Sequence, residues 1–149
     1  DHVTVPRTLR WTPVIEEPLV VLMPAGCRHM SLEEAVQNVN FIRYRTQVPL
    51  ARQIDTEMAR LRISPKQIVS ANTMTAVVGC VQAGLGFAVV PQIALKDVIA
   101  TSVNWLPFGT PPITRRLGVV QRFSSRQEEI TSALIDALAE IGPGHETET

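Results

Sequence analysis

CVQAGLGFAVVP, residues 80–91, sets two glycines between a segment of helical character and a run of β-branched residues. A phosphate-cradling Rossmann loop follows a strand and opens a helix, because the helix N-terminus is what faces the pyrophosphate. Here the order is reversed: residues 73–83 read as a mostly apolar helix through Val77, Val78 and Val81, and residues 87–90 as a buried strand ended by Pro91. The third glycine of a dinucleotide fingerprint and the lysine of a P-loop are also missing. Gly84 is therefore expected as a left-handed helix cap, and Gly86 as relief in the turn into the strand.

Upstream, Leu19-Val20-Val21-Leu22-Met23 is a continuous apolar run closed by Pro24, which suits a strand covered on both faces. Ser31-Leu32-Glu33-Glu34 is a capping box that starts a short helix ending near Asn38. Phe41-Ile42-Arg43-Tyr44 reads as a strand, and Thr46-Gln47-Val48-Pro49 as the start of a helix, proline being tolerated in the first turn. Leu50, Ile54, Met58 and Leu61 then recur at helical spacing. Residues 67–71 are expected as a short strand.

Downstream, residues 92–98 read as a short helix, and 103–106 and 116–122 as strands flanking a turn over 107–112. Residues 127–141 form a last amphipathic helix through Ile130, Leu134, Ile135 and Leu138, stopped by Gly142-Pro143-Gly144 before a frayed HETET tail. Strands alternating with helices give an α/β fold with a largely parallel sheet.

The 149 residues suit one domain able to bury about 70% of its unfolded surface. Fourteen Lys plus Arg balance fourteen Asp plus Glu, so no bulk basic field draws the chain to nucleic acid or a membrane. No run reaches the roughly 18 apolar residues of a membrane span, and DHVTVPRTLRW has no signal-peptide core. A cytoplasmic setting is the default, although a mature exported chain would read the same.

Cys27 and Cys80 carry no CxxC or nearby ligand-spaced histidine, and read as reduced structural thiols. His2, His29 and His145 form no HxxxH or HExxH pair, so neither a metal nor a cofactor is expected. No GxSxG elbow occurs. Glu16 and Glu17, adjacent on a strand, point to opposite faces; a solvated edge or an inter-lobe salt bridge suits them better than shared acid/base work.

One constellation has a chemical use. Arg43, Arg45, Thr46 and Gln47 cluster where a strand ends and a helix begins, so that guanidinium forks, backbone N–H groups and a helix N-terminus converge on one anion, such as a carboxylate. The alternative is that both arginines are solvated or paired with Asp55 and Glu57. Thr73 offers a hydroxyl at a second helix N-terminus.

EEPLVVLMP, SLEEA, FIRY, a helix, and VVGCVQAGLGFAVVP follow one another in an order and spacing that resemble the effector-binding domain of LysR-type transcriptional regulators. The match covers about residues 8–140, including LGVVQRF at 117–123, and the helix ending in AGLG before a strand is its most recognisable stretch. The resemblance implies two α/β lobes like those of type 2 periplasmic binding proteins, joined by two crossover strands around a small-molecule cleft. On that template the second lobe, complete, spans about 18–116, while 1–17 and 117–149 are a remnant of the first.

The family's winged helix-turn-helix, its linker helix and the opening elements of lobe one have no counterpart here. The chain is thus expected to be a fragment with lobe one incomplete, reaching DNA only through the absent N-terminal domain. The resemblance further implies that Arg43, Arg45, Thr46 and Gln47, with Tyr44 packed beside them and Thr73 near, bind a small anionic effector, and that the full protein self-associates as a dimer or tetramer. A solute-binding protein of a transporter shares the fold and is the alternative. An enzyme on the same scaffold is disfavoured by the lack of a nucleophile–base pair.

Overall fold

The computed structural model describes residues 5–96, 98, 102–123 and 128–141. His2, His145, the stop at 142–144 and the tail lie outside the described residues. The chain divides into two compact units, residues 18–113 and residues 1–17 with 114–149.

The elements of the 18–113 unit follow from the apolar pattern. Strand β1 (Leu9–Pro24) enters it at Pro18, and then come α1 (Leu32–Asn38), β2 (Phe41–Tyr44), α2 (Pro49–Arg60), β3 (Ile68–Ala71), α3 (Met74–Gln82), β4 (Ala88–Pro91) and β5 (Val103–Pro107). In β1 successive side chains alternate faces, and both faces are covered, which is why its run of apolar residues is unbroken. Leu19, Val21 and Met23 join Phe41, Phe87, Val89 and Phe108 beneath Ala35 and Val36 of α1 and Ile54 and Met58 of α2. Val20 and Leu22 join Ile42, Ala88 and Val90 beneath Val77 and Val81 of α3.

The sheet is not parallel throughout. β1 runs antiparallel to β4 on one side, with Val20 opposite Val90, and to β5 on the other, with Val21 opposite Leu106. β2 and β3 are parallel, and a parallel bridge from Phe41 to Phe87 joins β2 to β4. Strands β2 to β5 therefore share a direction and β1 alone opposes them, so the largely parallel arrangement expected carries one antiparallel strand. A strand buried on both faces has the same composition in either direction, so LVVLM carries no sign of its orientation.

Helix starts are local. Ser31 accepts from the Glu34 N–H while the Glu34 carboxylate accepts from the Ser31 N–H at 2.8 Å, the expected capping box. Pro49 occupies the first turn of α2. The segment read as a helix over 92–98 is instead a 3-10 turn, Gln92–Leu95.

Gly84 adopts φ +80°, the left-handed cap, with the Leu85 N–H donating to the Cys80 carbonyl at 3.0 Å. At Gly86 a Cβ would overlap the Asn40 carbonyl oxygen and lie 2.9 Å from the Ile42 Cδ1 atom. The same carbonyl accepts from Phe87 N–H at 2.9 Å, so the turn is drawn against the chain before β2.

The other unit contains Leu9 to Glu17 of β1, β6 (Thr114–Arg122), which pairs with β1, and α4 (Glu128–Ile141). Glu17 is buried at 1% exposure and paired with Arg115, while Glu16 accepts from the Thr114 hydroxyl at 2.7 Å. Both pairs join β1 to β6 inside this unit, so Glu17 does take up a salt bridge rather than a solvated edge. The apolar spacing of α4 is as expected, yet Ile130 is 66% and Leu134 48% exposed.

Candidate functional site

The segment after β2 is positioned by strand pairing. Tyr44 lies opposite Ala71 in the β2–β3 ladder, and the Arg45 N–H extends it by donating to the Ala71 carbonyl at 2.8 Å. This register brings Arg45, Thr46 and Gln47 to the same end of the sheet as Asn72 and Thr73. It is the carboxyl end of β2 and β3, where ligands of open α/β sheets bind.

The side chains divide into supports and exposed polar groups. Tyr44 is half-buried and packs on the cluster around Ile42 and Val77. Thr46 is half-buried, and Arg45 and Gln47 are exposed. Arg43 is held by Asp55 of α2, with Nε donating to Oδ1 at 3.0 Å and Nη2 to Oδ2 at 2.7 Å. Hydrogen bonding to Asp55, then its charge, raises the Arg43 pKa above the ordinary value, against a small opposing effect of burial. Glu57 is engaged by Arg60 at 2.6 Å. Among the described residues no carboxylate pairs with Arg45.

Two helix starts border the segment. The N-cap of α2 is Val48, which offers no side-chain acceptor, and Pro49 removes one N–H. Thr73 caps α3, its hydroxyl oxygen accepting from the Ala76 N–H at 3.1 Å. The N–H groups of Met74 and Thr75 precede the first intrahelical bond and face that end of the helix. The arrangement supplies a guanidinium with no carboxylate partner among the described residues, hydroxyl and amide side chains and a helix N-terminus, which together favour an anion.

Among the described residues no group of three His, Cys, Asp or Glu is placed to hold a metal ion, and both cysteines are free. Nor, among these residues, is any helix long and apolar enough to cross a membrane. Sequence reasoning left a salt bridge open for Glu17 but missed its burial and Arg115 as its partner. The adjacent carboxylates were visible, but a partner 98 positions away has no local signal.

A family model described as the LysR substrate binding domain matches residues 2–142. The chain belongs to this family. Its fold is accordingly that of the LysR substrate-binding domain, periplasmic-binding-protein-like, and the family's members are regulators of transcription.

Solved structures agree on the fold. The reduced form of the OxyR regulatory domain from Pseudomonas aeruginosa matches with a TM-score of 0.68 and 18% identity, over 92% of this chain and 68% of that one. Full-length OxyR C199D from the same organism matches with a TM-score of 0.67 and 18% identity, over 91% of this chain but only 47% of that one. The Synechocystis PCC6803 CcmR regulatory domain in complex with 2-PG matches with a TM-score of 0.67 and 19% identity, over 95% of this chain and 71% of that one. The chain thus spans less than half of the full-length regulator. No curated protein matches it.

Proposed function

We propose that this chain is the effector-sensing part of a cytoplasmic LysR-type DNA-binding transcriptional regulator, and that the segment from Arg43 to Gln47, with Thr73, binds a small anionic metabolite. The observation that carries the reading is the register of β2 on β3, which sets the exposed Arg45 beside Thr46 and the capped start of α3. In this reading the Arg45 guanidinium pairs with the anion, Thr46 and Gln47 supply directional hydrogen bonds, and Tyr44 forms the apolar side. Arg43 acts through its clasp on Asp55, which fixes the strand-to-helix turn. That CcmR, on the same fold, is in complex with 2-PG supports a small-molecule role.

Signalling would follow from differential affinity, the effector favouring whichever conformation closes on it and so altering contacts between copies. Self-association belongs to the reading. β3 pairs on one side with β2 and leaves Ile68 54% and Val69 41% exposed, an apolar strand edge suited to a second copy of the chain. DNA binding would reside in a segment outside this chain.

The test is calorimetry with small carboxylates and phosphate esters. An anion whose binding is weakened about tenfold or more by Arg45→Ala and by Thr46→Ala supports the site. Binding that survives both substitutions unchanged removes it. Turnover of any bound compound by the purified protein would replace sensing with catalysis.

A further inference from the structure

A second concave site lies at the opposite end of the same sheet. β2 to β5 share a direction, so the turn after Tyr44 and Ala71 marks one end and the first residue of β5, Val103, marks the other. At that far end an open cavity of about 280 Å³ is lined by Arg28, Leu95, Val98, Val103, Asn104 and Trp105. It shares no residue with the Arg43–Thr73 segment.

The backbone around the cavity is tied down. The Ala25 N–H donates to the Ser102 carbonyl at 3.1 Å, fastening the 3-10 turn Ala25–Cys27 to the start of β5. The Arg28 N–H then closes that turn onto the Ala25 carbonyl at 3.2 Å. Val103 pairs with Pro24 and Trp105 with Leu22, and the Val98 N–H donates to the Leu95 carbonyl at 3.1 Å. Arg28 and Trp105 are thus carried by two segments fixed to each other.

The lining has a definite chemistry. Leu95, Val98 and Val103 are aliphatic, and Trp105, 45% exposed, adds an indole beside them. Asn104 offers both a donor and an acceptor, and among the described residues of the lining Arg28 supplies the one charge. Among the described residues no carboxylate lines the cavity or pairs with Arg28. A cation would meet repulsion here, and a purely apolar ligand would leave the guanidinium unused. Ligand pockets commonly run from about 300 to 1,000 Å³, so this volume suits one small ring rather than a nucleotide.

We propose that this cavity is a second ligand site, for a small carboxylate with a flat apolar body, its carboxylate on Arg28 and its body against Trp105. It is independent of the anion site proposed at Arg45.

The experiment uses a Trp11→Phe background, in which Trp105 is the only remaining tryptophan of the two. Phenylacetate titrated into that protein is expected to change Trp105 emission saturably, with affinity lowered about tenfold or more by Arg28→Met. Phenylacetamide, lacking the charge, and acetate, lacking the ring, are each expected to bind about tenfold or more weakly. Arg45→Ala is expected to leave phenylacetate binding within about twofold. The proposal is overturned by absence of a saturable change, or by unaltered affinity in an Arg28→Met protein whose circular dichroism is native. It is equally overturned if Arg45→Ala abolishes the signal, which would place phenylacetate at the other site.

Discussion

Glu17 and Arg115 form the most buried ion pair among the described residues: the carboxylate is 1% exposed, and its Oε2 accepts from Nε and Nη2, each at 2.6 Å. Glu17 is the last residue of β1 inside its unit, before Pro18, and Arg115 is the second residue of β6, after Thr114, where the chain returns to that unit. Removing one partner takes the opposite charge away from the other in a low-dielectric setting, which is costlier than losing a surface pair. Arg115→Ala is expected to lower unfolding free energy by about 3 kcal/mol, and Glu17→Gln/Arg115→Met to recover most of it. Urea denaturation of the three proteins checks this; an Arg115→Ala midpoint equal to wild type would show that the pair holds nothing.

The two glycines of the opening stretch should respond to alanine differently. Gly84 has open space where a Cβ would go, and its only obstacle is φ +80°, a cost of about 1 kcal/mol. At Gly86 the obstacle is the Asn40 carbonyl, held in its bond to Phe87 N–H. Overpacking against fixed backbone makes Gly86→Ala the costlier change, at about 2–3 kcal/mol. Equilibrium unfolding that ranked Gly84→Ala above Gly86→Ala would contradict the packing described for this turn.

Arg43→Ala should barely alter stability. The Arg43 and Asp55 side chains are 41% and 40% exposed, so solvent screens the pair and holds its worth below about 1 kcal/mol. The sign of the pH response follows from the raised Arg43 pKa. Its contribution is complete below the ordinary arginine value and fades only as pH rises beyond it, so titration of Arg43 adds no slope near neutrality. The check is the difference in stability between wild type and Arg43→Ala, compared at pH 7 and pH 9.

The 1–17 and 114–149 unit presents Trp11, Val120, Phe123, Ile130 and Leu134 to solvent, Phe123 at 65%. Several large apolar side chains exposed in one small unit favour association. The 149-residue chain is expected to enhance ANS fluorescence under native conditions, and Phe123→Ser with Ile130→Lys to reduce that signal while shifting stability by no more than about 0.5 kcal/mol each. An ANS signal unmoved by the two substitutions would place the dye elsewhere.

What could be read from sequence was what depends on neighbours along the chain. The Ser31–Glu34 box, Pro49 in the first turn of α2, and the apolar faces of α2 and α3 are set within four residues, and each stands where expected. The direction of β1 and the Glu17–Arg115 pair are set by partners tens of residues away. Ile130 and Leu134 show the same limit from the other side, since helical spacing marks an apolar face without saying what covers it. At the candidate site, the clustering of Arg43 to Gln47 was visible, but not which arginine Asp55 would take. That choice turns on strand orientation: Arg43 is still in β2 and reaches α2, whereas Arg45 has passed the strand's end.

Thr73 separates the structural from the recognition role at that site. Its hydroxyl oxygen caps α3 through the Ala76 N–H, so Thr73→Ala is expected to cost about 1 kcal/mol. Thr73→Asp keeps an acceptor and should preserve or raise stability, because a negative charge at a helix N-terminus is favourable. That same charge would repel an anion bound at Arg45 and the first turn of α3. If the proposed site is right, Thr73→Asp therefore yields a protein at least as stable as Thr73→Ala that binds the anionic effector more weakly than Thr73→Ala does. Thermal unfolding with and without ligand measures both quantities in one series. Equal ligand-induced shifts in the two variants would detach Thr73 from the binding site and leave it as a helix cap alone.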